Sequence, residues 1–174
     1  MLRMLPRTLL VAYVLSGTLM AQERSDFSGT WVMDVSWSEA VTLPYGPERP
    51  VIQVITQTPN VITVQRHVDG RPESVRYFFG SSEPQPVGTN GSQTEPLSGR
   101  ASWREHLLET TVPLTINGWL VTRTERRSLD VSGTRMTVET VLVVQHGYGG
   151  SSGAPPNNVG VMRDVYIKHT PGGN

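Results

Sequence analysis

From residue 27 onward the chain alternates between apolar and polar side chains. Trp31, Met33, Val35 and Trp37 fall at every second place between Phe27 and Glu39, with Val32, Asp34, Ser36 and Ser38 between them. That period predicts a strand with one face turned to an apolar interior. The pattern returns in Val51–Thr58 and Val61–Val68, separated by Pro59-Asn60, and again up to Gly80 after the turn signal Asp69-Gly70. Further strands are predicted at Gly99–Trp103, Leu107–Ile116, Trp119–Leu129, Thr134–Gln145 and Val161–His169. Asn117-Gly118 marks a tight hairpin and Asp130–Gly133 another turn. No long stretch carries a helical stripe, so helix is a minor element.

The connections sharpen the topology. Residues 38–50 hold three prolines and a Tyr-Gly pair, and residues 80–98 and 146–159 are rich in Gly, Pro and Ser. All three read as loops. About eight or nine strands joined mostly by short turns, with no helical crossover, predict an all-β, antiparallel up-and-down barrel. Closure would remove the exposed edges that an open sheet leaves. The two longest loops would form the rim of such a barrel.

Composition adds a compartment. Arg3 and Arg7, a short apolar run and Ala21 read as a secretory signal peptide over residues 1–21. That leaves 22–174 as a single domain, exported to a periplasm or the medium without stable membrane insertion. The 15 basic and 15 acidic residues balance, and removal of Arg3 and Arg7 leaves the remainder mildly negative, which argues against nucleic acid as a partner. There is no cysteine, so disulfides, thiol catalysis and cysteine zinc sites are excluded.

A family resemblance becomes visible at Phe27-Ser28-Gly29-Thr30-Trp31, followed by Gly99–Trp103, Thr124–Leu129, Thr134–Thr140 and Arg163–His169. The chain resembles the lipocalin-like (calycin) barrels over most of residues 26–169, above all secreted bacterial barrel domains that open in the same way. The resemblance implies that Trp31 plugs one end of the barrel beside an arginine of a late strand, for which Arg163 is the best match. It does not extend to the carboxylate grip of fatty-acid-binding barrels, because Arg163 and Tyr166 are three apart and face opposite sides.

Candidate sites follow from alternation. The inward set comprises Trp31, Met33, Val35, Trp37, Ile52, Val54, Ile62, Val64, Val75, Tyr77, Phe79, Met136, Val138, Leu142, Val144, Val165 and Ile167. Such a set is a core, a wall around a small molecule, or both. Strand 119–129 has two readings. One turns Arg123, Glu125 and Arg127 into the lumen, where buried charges need partners or a bound ion. The other turns Leu120, Thr122 and Thr124 inward and leaves the charges as a solvated ladder, as an Arg/Glu strand ordinarily does.

His67, His106, His146 and His169 lack metal-ligand spacing, and neither a nucleophile elbow nor a phosphate loop is present. No catalytic residue, metal or cofactor is therefore assigned. The expectation is a domain that binds a small apolar or amphipathic molecule in its lumen. The expected ligand-binding residues are Met33, Val35, Trp37, Val54, Val64, Tyr77, Phe79, Arg123, Glu125, Met136 and Val138, and Trp37 or Trp119 would report binding by fluorescence. The alternative is a non-enzymatic interaction domain whose barrel is filled by side chains. An enzyme using Glu125 with Arg123 ranks after both, since no acid and base stand at recognisable spacing.

Overall fold

A computed structural model describes residues 24–40, 47, 50–68, 71–80, 97–116, 119–145 and 159–170. The proposed leader, the Asp69-Gly70 and Asn117-Gly118 turns, His146, most of both rim loops and the Trp119 side chain lie outside the described residues. The described residues form nine strands: β1 (Gly29–Met33), β2 (Ile52–Gln57), β3 (Val61–Val68), β4 (Arg71–Phe79), β5 (Leu97–Arg104), β6 (Leu107–Ile116), β7 (Trp119–Leu129), β8 (Arg135–Gln145) and β9 (Val159–His169). Each pairs with the next and β9 returns to β1. The chain is thus an all-β barrel, closed with its strands in sequence order.

One pair departs from the expected antiparallel pattern. β4 and β5 run parallel, with Val75 opposite Leu97 and Phe79 opposite Ala101. Parallel neighbours need a crossover of roughly a dozen residues or more, and accordingly the end of β4 at Phe79 and the start of β5 at Leu97 lie at opposite ends of the barrel.

Strand directions define a base and a mouth. At the base are the turns around Pro59, at Glu105-His106 and at Asp130–Thr134, together with the start of β1. Phe27 and Trp31 are fully buried there, and the indole Nε1 donates to the Phe27 carbonyl at 2.8 Å. The mouth is where β1, β3, β6 and β8 end.

The tryptophan plug has a different partner from the expected arginine. Asp164 and Tyr166 are buried and Lys168 reaches the Trp31 ring, so their side chains occupy the inner face of β9. Arg163 therefore lies on the outer face and is exposed. Lys168 stands opposite Trp31 in the β1–β9 register, with its ammonium 5.3 Å from the ring centroid. Gly29, at φ 138°, leaves room for it: a Cβ there would sit 2.8 Å from Lys168 Cε. Val165 and Ile167 share the outer face with Arg163. Val165 is buried beneath the Asp34–Ala40 segment, which bonds its backbone through Asp34 N–H and Ser38 Oγ, while Ile167 is exposed.

The opening strand is shorter than its alternation. β1 stops at Met33 because Asp34 captures the chain: its carboxylate accepts from Ser36 N–H at 3.1 Å and its carbonyl from Trp37 N–H at 3.1 Å. Val35 and Trp37 consequently leave the interior, and Trp37 is 68% exposed with the Arg135 guanidinium over its ring. They are not lumen residues. Neither is Val54. In β2 it is Val51, Gln53 and Ile55 that are buried, since Gln53 pairs directly with Trp31 and shares its face. Ile52 is turned outward and exposed with the same register.

The interior is otherwise apolar toward the base. Ile55, Ile62, Val64, Val75, Tyr77, Leu108 and Met136 are almost wholly buried. Gly99 on β5 makes room for the Tyr77 ring, because a Cβ there would lie 2.6 Å from Tyr77 Cδ1 and 2.5 Å from the Thr111 carbonyl.

Candidate functional site

Toward the mouth the interior changes character. β7 turns Val121, Arg123, Glu125 and Arg127 inward, all buried, and leaves Leu120 and Arg126 exposed. The solvated ladder is therefore not what forms. The reason is on the opposite wall: period two carries Arg66 of β3 inward behind Ile62 and Val64, and it meets Glu125 across the lumen.

Glu125 is the hub. Arg66 Nη2 donates to both its oxygens, at 2.6 Å to Oε2, and Arg127 Nη2 donates to the same Oε2. Arg127 Nη1 also donates to Thr110 Oγ1 at 2.7 Å. Arg123 is paired with Glu73 of β4, and its Nε lies 3.6 Å from Glu125 Oε1, an electrostatic contact without a hydrogen bond. Burial alone would raise the Glu125 carboxyl. The guanidiniums of Arg66, Arg127 and Arg123 outweigh that and hold it well below the usual carboxylate range. Glu73 is held down in the same way, its burial outweighed by the Arg123 hydrogen bond.

On β9, Asp164 and Tyr166 complete the ring of polar groups. Burial raises the Asp164 carboxyl, although one oxygen accepts from Ala40 N–H at 2.9 Å. Burial likewise pushes the Tyr166 phenol up to about 12, with a hydrogen bond from Gln53 acting against it.

Above this layer lies a cavity of ≈ 230 Å³. Its walls include Met33, Val51, Leu114, Val138, Leu142 and Met162, and its polar lining is Gln53, Arg66, Arg123, Glu125, Thr140, Asp164 and Tyr166. Several of these polar side chains have an unmet hydrogen-bonding atom: Gln53 Oε1, Arg66 Nε and Arg123 Nε are buried without a partner. A hollow of ≈ 340 Å³ at the base rim, between Phe79, Trp103 and Gln57–Pro59, is larger. No buried unpartnered atom among the described residues belongs to it. The mouth cavity is the better site for recognising a ligand.

Of the residues expected to bind, Met33, Arg123, Glu125 and Val138 line the mouth cavity. Val64, Tyr77 and Met136 are inside the barrel but belong to the packed core below it, and Phe79 stacks on Trp103 at the base. Gln53, Arg66, Asp164 and Tyr166 went unnoticed as lumen residues. Arg66 had a readable signal, being two places beyond Val64. Asp164 and Tyr166 were masked by the apolar residues of opposite parity beside them.

Among the described residues no group of histidines or carboxylates could hold a metal ion, and no helix is long and apolar enough to cross a membrane. His67, His106 and His169 are exposed.

No family model and no curated protein matches the chain. Among solved structures, a mutant of the fluorescent protein UnaG is 15% identical, covering 83% of this chain and 96% of its own, with a TM-score of 0.48. Zebrafish ileal bile acid-binding protein complexed with cholic acid is 10% identical over 82% of this chain and 98% of its own, with a TM-score of 0.42. For human cRBP IV the values are 12%, 83%, 98% and 0.44. What this lumen can hold has to come from its own side chains.

Proposed function

We propose that the protein is an exported binding domain that holds a small amphipathic molecule in the mouth half of its barrel. The observation that carries this reading is the cavity of ≈ 230 Å³ between apolar walls and a floor of buried charged groups. A filled barrel would leave no such space, and a purely apolar carrier would not need to bury four charged groups in its lining. An apolar cavity of about 150 Å³ accepts benzene, so the lumen suits a molecule of one or two rings or a short chain.

Export is supported by the basic start, short apolar run and Ala21 at the amino terminus. The Phe27–Trp31 opening, resembling secreted bacterial barrels, points the same way. Mass spectrometry of exported protein should find a new amino terminus between residues 22 and 26, about where the leader pattern ends. An intact amino terminus would overturn export.

Titration of the purified chain with benzene and small aromatic fragments, followed by ligand-observed nuclear magnetic resonance, tests binding. Saturable binding that is lost on filling the cavity by Val138→Trp supports the reading. Absence of saturation for every fragment overturns it. A second reading as an interaction domain rests on a row of outward apolar side chains, Ile52, Val32 and Ile167, paired across β2, β1 and β9.

A further inference from the structure

The hollow at the base has a chemistry separate from that of the mouth cavity. Its floor is aromatic. Phe79 ends β4, and Trp103 lies on β5 two places beyond the buried Ala101 that pairs with Phe79, so alternation puts both rings on the inner face at the base. The two rings are parallel within 1°, with centroids 6.1 Å apart, and the fully buried Phe27 packs against Trp103 with its centroid at 6.1 Å. Both Phe79 and Trp103 are half-buried and line a hollow of ≈ 340 Å³. That volume is within the range of ligand pockets, about 300–1,000 Å³.

The rim is polar and fixed by Gln57. Its Nε2 donates to the Ser25 carbonyl at 3.0 Å, its Oε1 accepts from Phe27 N–H at 3.2 Å, and its backbone N–H donates to Ser28 Oγ at 3.1 Å. The chain fastened in this way carries Arg24 and Asp26 to the edge of the hollow. The Arg24 guanidinium lies 5.9 Å from the Trp103 ring centroid. The Ser28 hydroxyl and N–H, the latter at 2.9 Å, hold the Asp26 carboxyl below its usual value, and a carboxylate has acceptor sites for further donors. Both side chains are exposed, so a molecule seated on the rings meets them directly.

We propose that the base hollow is a second binding site, for a saccharide, with one pyranose ring laid against Phe79 and Trp103. The C–H face of a sugar ring carries weakly positive hydrogens, which complement the negative face of an aromatic ring. Each hydroxyl both donates and accepts, so neighbouring hydroxyls donate to Asp26 and accept from Arg24. Other ligand classes use only part of this surface. An aromatic hydrocarbon stacks but offers Asp26 and Arg24 nothing. A quaternary ammonium meets the Arg24 charge already over the Trp103 ring, and an aromatic carboxylate pairs with Arg24 but is repelled by Asp26.

Trp103 is the reporter. In protein labelled with fluorotryptophan, the fluorine resonance lost in Trp103→Phe assigns it, and the purified wild-type chain is titrated with cellobiose, maltose, chitobiose and lactose. At least one disaccharide is expected to shift that resonance saturably, and at lower concentration than benzene, benzoate or tetramethylammonium. Asp26→Ala, on an exposed side chain outside the core, should weaken the same disaccharide at least about tenfold through loss of a hydrogen bond to a charged acceptor. Phe79→Leu keeps an apolar side chain but removes the flat ring, and should weaken it as well; if that variant does not fold, Asp26→Ala carries the test. Failure of all four disaccharides to saturate, a response to any of the three small probes at lower concentration, or undiminished binding by Asp26→Ala would overturn the site. The mouth-cavity reading depends on its own Val138→Trp test and is untouched by these results.

Discussion

Converting Glu125 to glutamine keeps its shape but leaves Arg66, Arg127 and Arg123 around a neutral amide. Breaking a buried ion pair from one side costs about 3–5 kcal/mol, since the remaining charge stays desolvated and unpaired. Glu125→Gln should lose stability of that order in urea unfolding. Replacing the three members together, Arg66→Met with Glu125→Leu and Arg127→Met, removes the desolvation along with the attraction and should come out neutral or more stable. The two carboxyls also give opposite pH responses. Glu125 has a depressed value in the fold, so its stabilisation is present above the unfolded value of about 4.3 and is lost as pH falls through the depressed folded value. Asp164 has a raised value, so its contribution is full below the unfolded value of about 3.9 and is lost as pH rises through the folded one. Asp164→Asn should therefore flatten the upper part of the stability–pH curve, and Glu125→Gln the acid limb.

At the level of strands, the base plug is held by β1 and β9 together. Trp31→Ala should cost about 3–5 kcal/mol, as truncation of a large buried aromatic does. Lys168→Met should couple to it in a double-mutant cycle through the lost cation–π contact, by about 0.5–2 kcal/mol. Arg163→Ala, on the outer face, should change stability by no more than about 0.5 kcal/mol. On β5, Gly99→Ala pushes a methyl into Tyr77 and the Thr111 carbonyl, and an overpacking loss of about 1–3 kcal/mol is expected by thermal unfolding. Strands of single parity were readable in the sequence: Ile62 and Val64, Val75 and Tyr77, and Met136 and Val138 all point where alternation places them. β2 was not, because Val51 and Ile55 compete with Ile52 and Val54 and the pairing of Gln53 with Trp31 decides between them. β1 misled in another way. Its alternation continues through Val35 and Trp37, but the hydrogen bonds of Asp34 turn the backbone away. The orientation of β7 depended on Arg66 on another strand, which no local pattern within β7 contains.

Across the whole molecule, the parallel seam divides the barrel into two successive ribbons, β1–β4 and β5–β9, which meet along β4–β5 and again along β9–β1. Arg66 and Glu73 belong to the first ribbon, whereas Arg123, Glu125 and Arg127 belong to the second. Each ribbon by itself balances its charges, Arg66 with Glu73 in the first and Arg123 and Arg127 with Glu125 and Asp164 in the second, but the Arg66–Glu125 and Arg123–Glu73 pairs form only between the ribbons. A half-assembled barrel lacks both inter-ribbon pairs and leaves Arg66 and Glu73 without their partners on β7, which makes it a poor intermediate. The ionic layer thus acts as a latch on cooperativity: tryptophan fluorescence and far-ultraviolet circular dichroism should trace one coincident unfolding curve for the natural chain. In the triple replacement the Arg66–Glu125 half of the latch is gone and only Arg123–Glu73 still spans the ribbons. There the two probes should separate, because one ribbon can detach while its neighbour stays folded.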